Sequence, residues 1–371
     1  MTFPDPRPHF EKIKDPRRES TLKLHKLEDI LFILLAAIIC GVESITAIEE
    51  WAYEKEAWLR QYLELPNGIP SHDTINDLLH RIKPKEFSSM LTEWAETDLP
   101  SLAGLHIAID GKTLRGARTT KEAVHIVTAW VCQGRFVIAQ EIVSEKSNEI
   151  TAVPPLLTLV DIKGAAITGD AMNCQKAIVE VIAAGKADYV LAVKDNQPKL
   201  FEDVQSILDT GIAAGQLNPL RTLDKGHGRV ETRQYFLSME LDGIRNAKEW
   251  HGLAAIGMVE STREIIGKNK EPSIERRYFI STVTDLPKFA ELVRGHWGTE
   301  NQQHWILDVQ LREDEHQLRG NAAKNLAVIR RMSLNLLRRD QEEKRGTTRR
   351  KMRAMLDDSY REALLFSSAI V

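Results

Sequence analysis

Cysteine is scarce in this chain of 371 residues: there are three, Cys40, Cys132 and Cys174, and no two share a CxxC spacing. That argues against a thiolate zinc site, and an odd, scattered set fits a reducing cytoplasm rather than a disulfide framework. A basic excess is also missing. Fifty Lys and Arg against 53 Asp and Glu give a net charge of −3, so any nucleic-acid contact has to come from local patches. Long apolar runs are lacking too. Ile30 to Cys40 is the one membrane-like stretch, closed by Glu28, Asp29 and Glu43. It falls well short of the roughly 20 residues a bilayer span needs, so it reads as a fully buried helix and no membrane partner is expected. Residues 1–26 are polar and proline-punctuated, so no secretory signal is expected and a cytoplasmic location is. What remains is an ordinary globular composition, 43% apolar and 28% charged, with length for a main domain and one or two smaller ones.

Against that plain background, three acidic residues stand in distinctive settings. Asp110 ends the apolar run His106–Ile109 and opens Gly111-Lys112-Thr113; Asp170 ends Ala165–Gly169; Glu300 sits in His296-Trp297-Gly298-Thr299-Glu300-Asn301 at the start of a helical pattern. A carboxylate at the exit of a buried strand is held where the chain meets solvent, the usual place for a site on an α/β sheet. Taken singly, such an Asp is more often a turn former or helix cap. Together, two strand-end carboxylates and one from a helix can hold two divalent metals, hard oxygen ligands suiting Mg²⁺, and that arrangement serves phosphoryl transfer on nucleic acid.

The organisation follows from periodicity. Residues 1–100 read as an all-α domain: the buried helix near 28–42, an amphipathic helix from Ser44 to Tyr62, a break at Pro66–Pro70, and a helix from Ser71 with Ile75, Leu78, Leu79 and Ile82 as its stripe. That last helix fits equally a helix-turn-helix reader, with Asn76 and Arg81 as base-reading side chains, and a helix that is merely packed. Then the period changes. Strands are expected at His106–Asp110, Ala123–Val131, Phe136–Val143, Ala165–Gly169 and Asp188–Val193, with a short helix from Thr151 interrupted at Pro154-Pro155 and another over Cys174–Ala184. This βββ-α-β-α-β order makes the fold class α/β, with a ribonuclease-H-like catalytic core over 101–340 in which the first and fourth strands are neighbours. Strand patterns between about 198 and 285 read as a β-rich insertion, with a hairpin tip at Gly267–Pro272, and residues 341–371 as a basic tail.

The segments Ile109–Gly116, Thr168–Met172, Leu191–Gln197, Gly226–Arg233, and His296-Trp297 with Glu300-Asn301 and His304–Val309 resemble the H-repeat-associated group of bacterial insertion-sequence transposases, which are DDE-type enzymes. The stretch from Asp15-Pro16-Arg17 through Gly68–Thr74 resembles that group's N-terminal transposase-associated domain. The likeness implies that Asp110, Asp170 and Glu300 are the catalytic, metal-binding triad, with two Mg²⁺ (Mn²⁺ as a substitute) as cofactor. It further implies cleavage at element ends and strand transfer, double-stranded DNA (ends and target) as partner, a homodimer on DNA, and association with the nucleoid. One departure stands out. Where related transposases carry Tyr-x2-Arg-x3-Glu-x6-Lys, this chain has Val293, His296, Glu300 and Leu307; Arg294, His296 and Lys194 are the candidates to fill the missing basic roles.

Further DNA contacts are expected from Lys112 and Arg115 after the first Asp, from His304 one turn beyond Glu300, and from the basic run that the net charge conceals. That run, Arg319 to Arg353, includes Arg319, Arg338, Arg339, Arg349 and Arg350, and a helix so biased would track a phosphate backbone. An amphipathic, solvated helix is the plainer reading of the same run. Asp308 is a fallback ligand; Glu313 and Asp314 are further fallbacks, with a solvated loop as their plainer reading. Rival functional readings are an inactive, domesticated DNA-binding protein derived from such an element, and a metal-dependent nuclease without strand transfer.

Overall fold

The computed structural model describes residues 3–20, 23–97, 99, 101–117, 124–143, 149–226, 228–267, 271–315, 317–340 and 346–366. The expected hairpin-tip residues Lys268, Asn269 and Lys270, loop residue His227, and Lys344 and Arg345 of the basic run lie outside them. In chain order come helices α1 (Arg7–Glu11), α2 (Leu27–Ile39), α3 (Ile45–Glu54), α4 (Glu56–Leu59), α5 (His72–Arg81) and α6 (Pro84–Glu96). Strands β1 (His106–Leu114), β2 (Val124–Val131) and β3 (Phe136–Val143) follow, then α7 (Glu149–Thr158), β4 (Ala166–Gly169), α8 (Lys176–Ala184), β5 (Asp188–Val193) and α9 (Pro198–Ala213). Next are β6 (Leu220–Gly226), β7 (Arg229–Ser238), β8 (Ala255–Ile265) and β9 (Ser273–Ser281), and finally α10 (Leu286–His296), α11 (Gly320–Arg338), α12 (Thr347–Leu356) and α13 (Asp358–Leu365).

These elements gather into two units that are discontinuous in sequence. One comprises residues 1–101, 111–160 and 299–371; the other 102–110 and 161–298. In the first, α11 is the central element, packing on α2, α5, α6 and β3. Its buried positions run all round the helix, from Ala322 to Leu337, which is what a helix enclosed by neighbours requires. α2 is enclosed in the same way, and no helix is long and apolar enough among the described residues to cross a membrane. α5 starts on the Ser71 cap, whose Oγ accepts from Thr74 N at 3.3 Å. It turns Ile75, Leu78 and Leu79 inward, and Asn325 of α11 donates to the carbonyls of Leu79 at 2.8 Å and Ile82 at 2.9 Å. Arg81 is exposed and paired with Asp77 at 2.7 Å. Packing thus takes the Ile75, Leu78 and Leu79 face of α5, while Asp73, Asp77, His80 and Arg81 stay exposed.

Two helices differ from expectation. The helix expected from Ser44 to Tyr62 is two, α3 and α4, with Lys55 between them; nothing in the local sequence breaks it. Conversely α7 continues through Pro154 and Pro155. Each proline forfeits one i→i−4 backbone bond, a loss set against the burial of Ala152, Val153, Leu156 and Leu157 in the packing of α7 on β2 and β3.

The second unit is built on a sheet in the order β1-β4-β5-β9-β8-β7-β6. β1, β4 and β5 are parallel, and the rest are added antiparallel. The segment expected as an insertion therefore extends the same sheet, since Val190–Val193 of β5 pairs directly with Tyr278–Ser281 of β9. It also holds helix α9, which strand patterns alone did not show. α10 covers one face through Phe289, Leu292 and Val293, packed on Tyr235, Val259 and Phe279. A Cβ on Gly257 would overlap the Phe289 ring, so glycine is what lets α10 approach β8.

Candidate active site

Two of the expected acids come together through backbone register alone. β1 and β4 pair in parallel, with Ile109 opposite Gly169, and Asp110 and Asp170 are the residues that follow. Asp170 follows the last residue of β4, whereas Asp110 lies within β1, which runs on to Leu114 instead of ending at Asp110 as expected; the two sit at one level on neighbouring strands, about 5 Å apart across the ladder. Asp170 is exposed. Its Oδ1 accepts from Asn173 N at 3.2 Å and from Asn173 Nδ2 at 2.9 Å, which makes Asp170 the cap of the short turn Ala171–Asn173.

That turn is held from behind. Asn196, in the loop after β5, donates to Ala171 O at 2.7 Å, and Gln197 donates to Cys174 O at 3.0 Å. The segment Lys194–Gln197 thus contributes an exposed Lys194 and two side chains that position the Asp170 loop. Gly169 matters here as well, because a Cβ there would meet the Asn173 side chain at 2.8 Å.

Behind the strand ends lies a feature that sequence reading missed. Thr168 Oγ1 joins two imidazoles, at 2.7 Å from His106 Nε2 and 2.8 Å from His296 Nδ1. Burial pushes His106 down to about 3, assisted by the charges of His296 and Lys288. Burial likewise pushes His296 down to about 4, against the pull of Asp170. Both rings are neutral at pH 7. His296, expected as a cation at DNA, is instead an uncharged group bonded to the strand that carries Asp170. A Cβ on Gly295 would meet the His106 ring at 2.8 Å, so that glycine admits the contact. No periodicity signal could have found this trio, because its members lie on β1, β4 and α10. Thr168→Val leaves both rings without their shared partner, and we expect it to cost about 1–3 kcal/mol in urea unfolding; a loss below about 0.5 kcal/mol would show the bridge to be idle.

In the first unit, Glu300 is exposed and opens a π-helical segment, Glu300–His304, followed by a second, Ile306–Gln310. The backbone N–H of Trp305 closes on Glu300 O, so the residue one turn on from Glu300 is Trp305 rather than His304. π-Turns are rare and concentrate at functional sites. The ring of His304 is partly buried.

Lys112 is buried, and its ammonium lies among three carboxylates: Asp308, Glu313 at 3.0 Å and Asp314 at 3.4 Å. Its expected role at a DNA phosphate is corrected accordingly, since the charge is already neutralised inside the protein. Asp308 is taken by the same contact. Glu313 is no solvated loop residue: it is fully buried, with Arg331 Nη1 at 2.6 Å. Gly111 accommodates a further carboxylate, since a Cβ there would clash with Glu149.

The basic run divides by burial. Arg319 and Arg349 are exposed. Arg350 is buried and donates to Leu337 O at 3.0 Å, Arg338 donates to Gln302 O at 3.1 Å, and Arg339 to Leu364 O. Burial pushes Arg338 down to about 10, with Arg135 and Arg350 adding to the effect. These three tie helices together rather than forming a solvated stripe. Arg115 is 86% exposed, with its backbone N–H on Asp314 Oδ1 at 3.0 Å. Arg294 is exposed, 3.5 Å from Asp224, and the face of Trp297 is covered by Arg277 at 4.1 Å.

A family profile described as "Transposase DDE domain" matches residues 102–336, and one described as "DDE_Tnp_1-associated" matches residues 7–95. The chain belongs to the DDE transposase family. Its relatives include the H repeat-associated putative transposase YhhI of Escherichia coli K12, 37% identical over 98% of both chains. The putative transposase YncI of Escherichia coli O157:H7 is 37% identical over 97% of this chain and 94% of its own. An uncharacterized protein from the dhlA 3′ region of Xanthobacter autotrophicus is 41% identical over 77% of this chain and 97% of its own. DDE domains generally use divalent metals, and the donors fit: Asp110 and Asp170 offer hard carboxylate oxygens at one level of two neighbouring strands. Among the described residues no group of three or more His, Cys, Asp or Glu is gathered to hold an ion.

Proposed function

We propose that the chain is the DNA transposase of an insertion sequence, with a ribonuclease-H-like catalytic core, cutting phosphodiesters at its element's ends and joining the freed 3′-hydroxyl to target DNA. The observation that carries this reading is the pairing of β1 with β4, which sets Asp110 and Asp170 side by side in a chain of this family. Asp110, Asp170 and Glu300 would hold two Mg²⁺, or Mn²⁺ in their place. Such ions activate a water or hydroxyl nucleophile and neutralise charge on the phosphate. The protein's own contribution is to fix the carboxylates. Asn173 orients Asp170 Oδ1, Asn196 and Gln197 hold its loop, and the neutral His106–Thr168–His296 chain ties α10 to β4. The exposed cations Arg115, Lys194, Arg294, Arg319 and Arg349 contact phosphates of the double-stranded substrate, and two protomers bring two ends together.

The test is an assay with a labelled duplex carrying the element's terminal repeat. Site-specific nicking that leaves a 3′-hydroxyl, joined products in the presence of target DNA, and loss of both on chelation are expected. Cleavage without joining would favour a plain nuclease; binding without cleavage in Mg²⁺ or Mn²⁺ would favour the domesticated protein. Reversing Arg319 and Arg349 to Glu should weaken binding to all sequences alike and lower the salt slope by about one for each phosphate that is no longer neutralised. An unchanged slope would remove these two residues from the interface.

A further inference from the structure

Within the first unit, a cavity of about 690 Å³ opens where the loop from α2 to α3 meets the segment leading into α11. It is far larger than the roughly 30 Å³ share of a water and lies within the range of small-molecule sites, about 300–1,000 Å³. Part of its wall is Arg330, a cation only 2% exposed. Nε of Arg330 donates to Leu311 O at 3.1 Å, while Nη1 has no hydrogen-bond partner among the described residues. Burial lowers its pKa to about 10, so the group stays charged at neutral pH. The nearby carboxylates of Glu313 and Glu43 offset part of its charge, but a buried donor without an acceptor is still unfavourable until one reaches it.

A second part of the wall is the N-terminus of α3, a helix of ten residues. Ser44 caps it, Oγ accepting from Ala47 N at 3.2 Å, and the first intrahelical bond runs from Ile48 N to Ser44 O at 2.9 Å. The amides of Ile45 and Thr46, both in the cavity wall, come before that bond and have no helical acceptor. The acids of the wall are already matched. Glu43 pairs with Lys351 at 3.1 Å and Arg312 at 3.3 Å, and Glu315 with Arg312 at 3.5 Å. Val42, Leu318 and Leu326 supply apolar surface.

We propose that this cavity binds a phosphomonoester with a body of nucleotide size, its phosphate taken by Arg330 and the amides of Ile45 and Thr46. A phosphate offers several strong acceptor oxygens to a guanidinium and a helix N-terminus together, and the remaining volume and apolar wall suit an attached ring system. The same chemistry comes from two sources, a free nucleotide or the 5′-phosphate end of a DNA strand. The site uses none of the residues assigned above to catalysis or DNA contact, so it stands or falls apart from the transposase reading.

Calorimetric titration of the full-length protein decides it, using adenosine 5′-monophosphate, inorganic phosphate, and one duplex with either a 5′-phosphate or a 5′-hydroxyl. Thr46→Asp is the main variant. An Asp in the first turn suits the helix dipole, so folding is preserved, while its charge opposes the phosphate; Arg330→Gln removes the principal donor. We expect saturable binding of the nucleotide, or a preference for the 5′-phosphate duplex over the 5′-hydroxyl one, weakened tenfold or more by Thr46→Asp. The first result identifies a free nucleotide as the ligand and the second a strand end. Absence of both results, nucleotide or duplex affinity unaffected by Thr46→Asp, or inorganic phosphate binding as tightly as the nucleotide would overturn the proposal.

Discussion

Asp110→Asn and Asp170→Asn should each lower the rate of end cleavage by about a thousandfold or more while leaving the fold and DNA binding intact. Loss of a metal-binding carboxylate forfeits several kcal/mol of transition-state stabilisation, and about 4 kcal/mol corresponds to a factor near a thousand. The fold is preserved because Asn is nearly isosteric. At position 170 its Oδ1 can still accept the two hydrogen bonds from Asn173. DNA affinity should hold or rise, since a negative charge is removed from a surface that meets a polyanion. Single-turnover cleavage and salt-titrated binding on the same preparations separate the two effects. Cleavage at the wild-type rate by either variant would exclude that carboxylate from the chemistry.

Glu313→Ala should destabilise the protein by about 3–5 kcal/mol, the usual consequence of deleting one member of a buried ion pair. Glu313 and Arg331 have fully buried side chains, so the deletion strands the Arg331 guanidinium, while Lys112 keeps Asp308 and Asp314. Burial by itself would raise the Glu313 pKa, but the charges of Arg331, Lys112 and Arg330 hold it well below the ordinary 4.5. Its contribution is therefore fully present above the ordinary carboxylate value and is lost as pH falls through and below it. Urea unfolding at pH 7 and pH 3 checks both parts. The variant should lose most at pH 7 and differ less from wild type at pH 3, and a gap below about 1 kcal/mol at pH 7 would show the pair to be dispensable. The double replacement of Glu313 and Arg331 by Met should cost less than the sum of the single losses, because neither partner is then left alone.

Local and long-range properties of the chain differ in how far the sequence reveals them. Apolar periodicity is local, and it located Phe136–Val143 and Asp188–Val193 to the residue, and α2 to within a few positions at its C-terminus. It could not locate β6, whose residues are nearly all exposed and carry no burial pattern. Nor could it anticipate the π-helical winding after Glu300, since i→i+5 pairing has no composition of its own. The order of strand types already implied that β1 and β4 are neighbours, and their pairing is observed.

Charge was the least legible property. Arg330, Arg331, Arg338, Arg339 and Arg350 read as one basic surface, yet whether an arginine meets water or a carboxylate depends on which distant segment packs over it. Lys112 shows the same thing, finding its partners about 200 positions away. By itself the sequence determined the chain's family and the neighbouring strands that carry Asp110 and lead into Asp170, because each follows from residue type and local spacing. Only the tertiary structure decided which cations are spent inside the fold, which stay exposed, and that Thr168 joins His106 to His296. Burial and partnership are long-range properties, set by contacts between segments far apart in the chain.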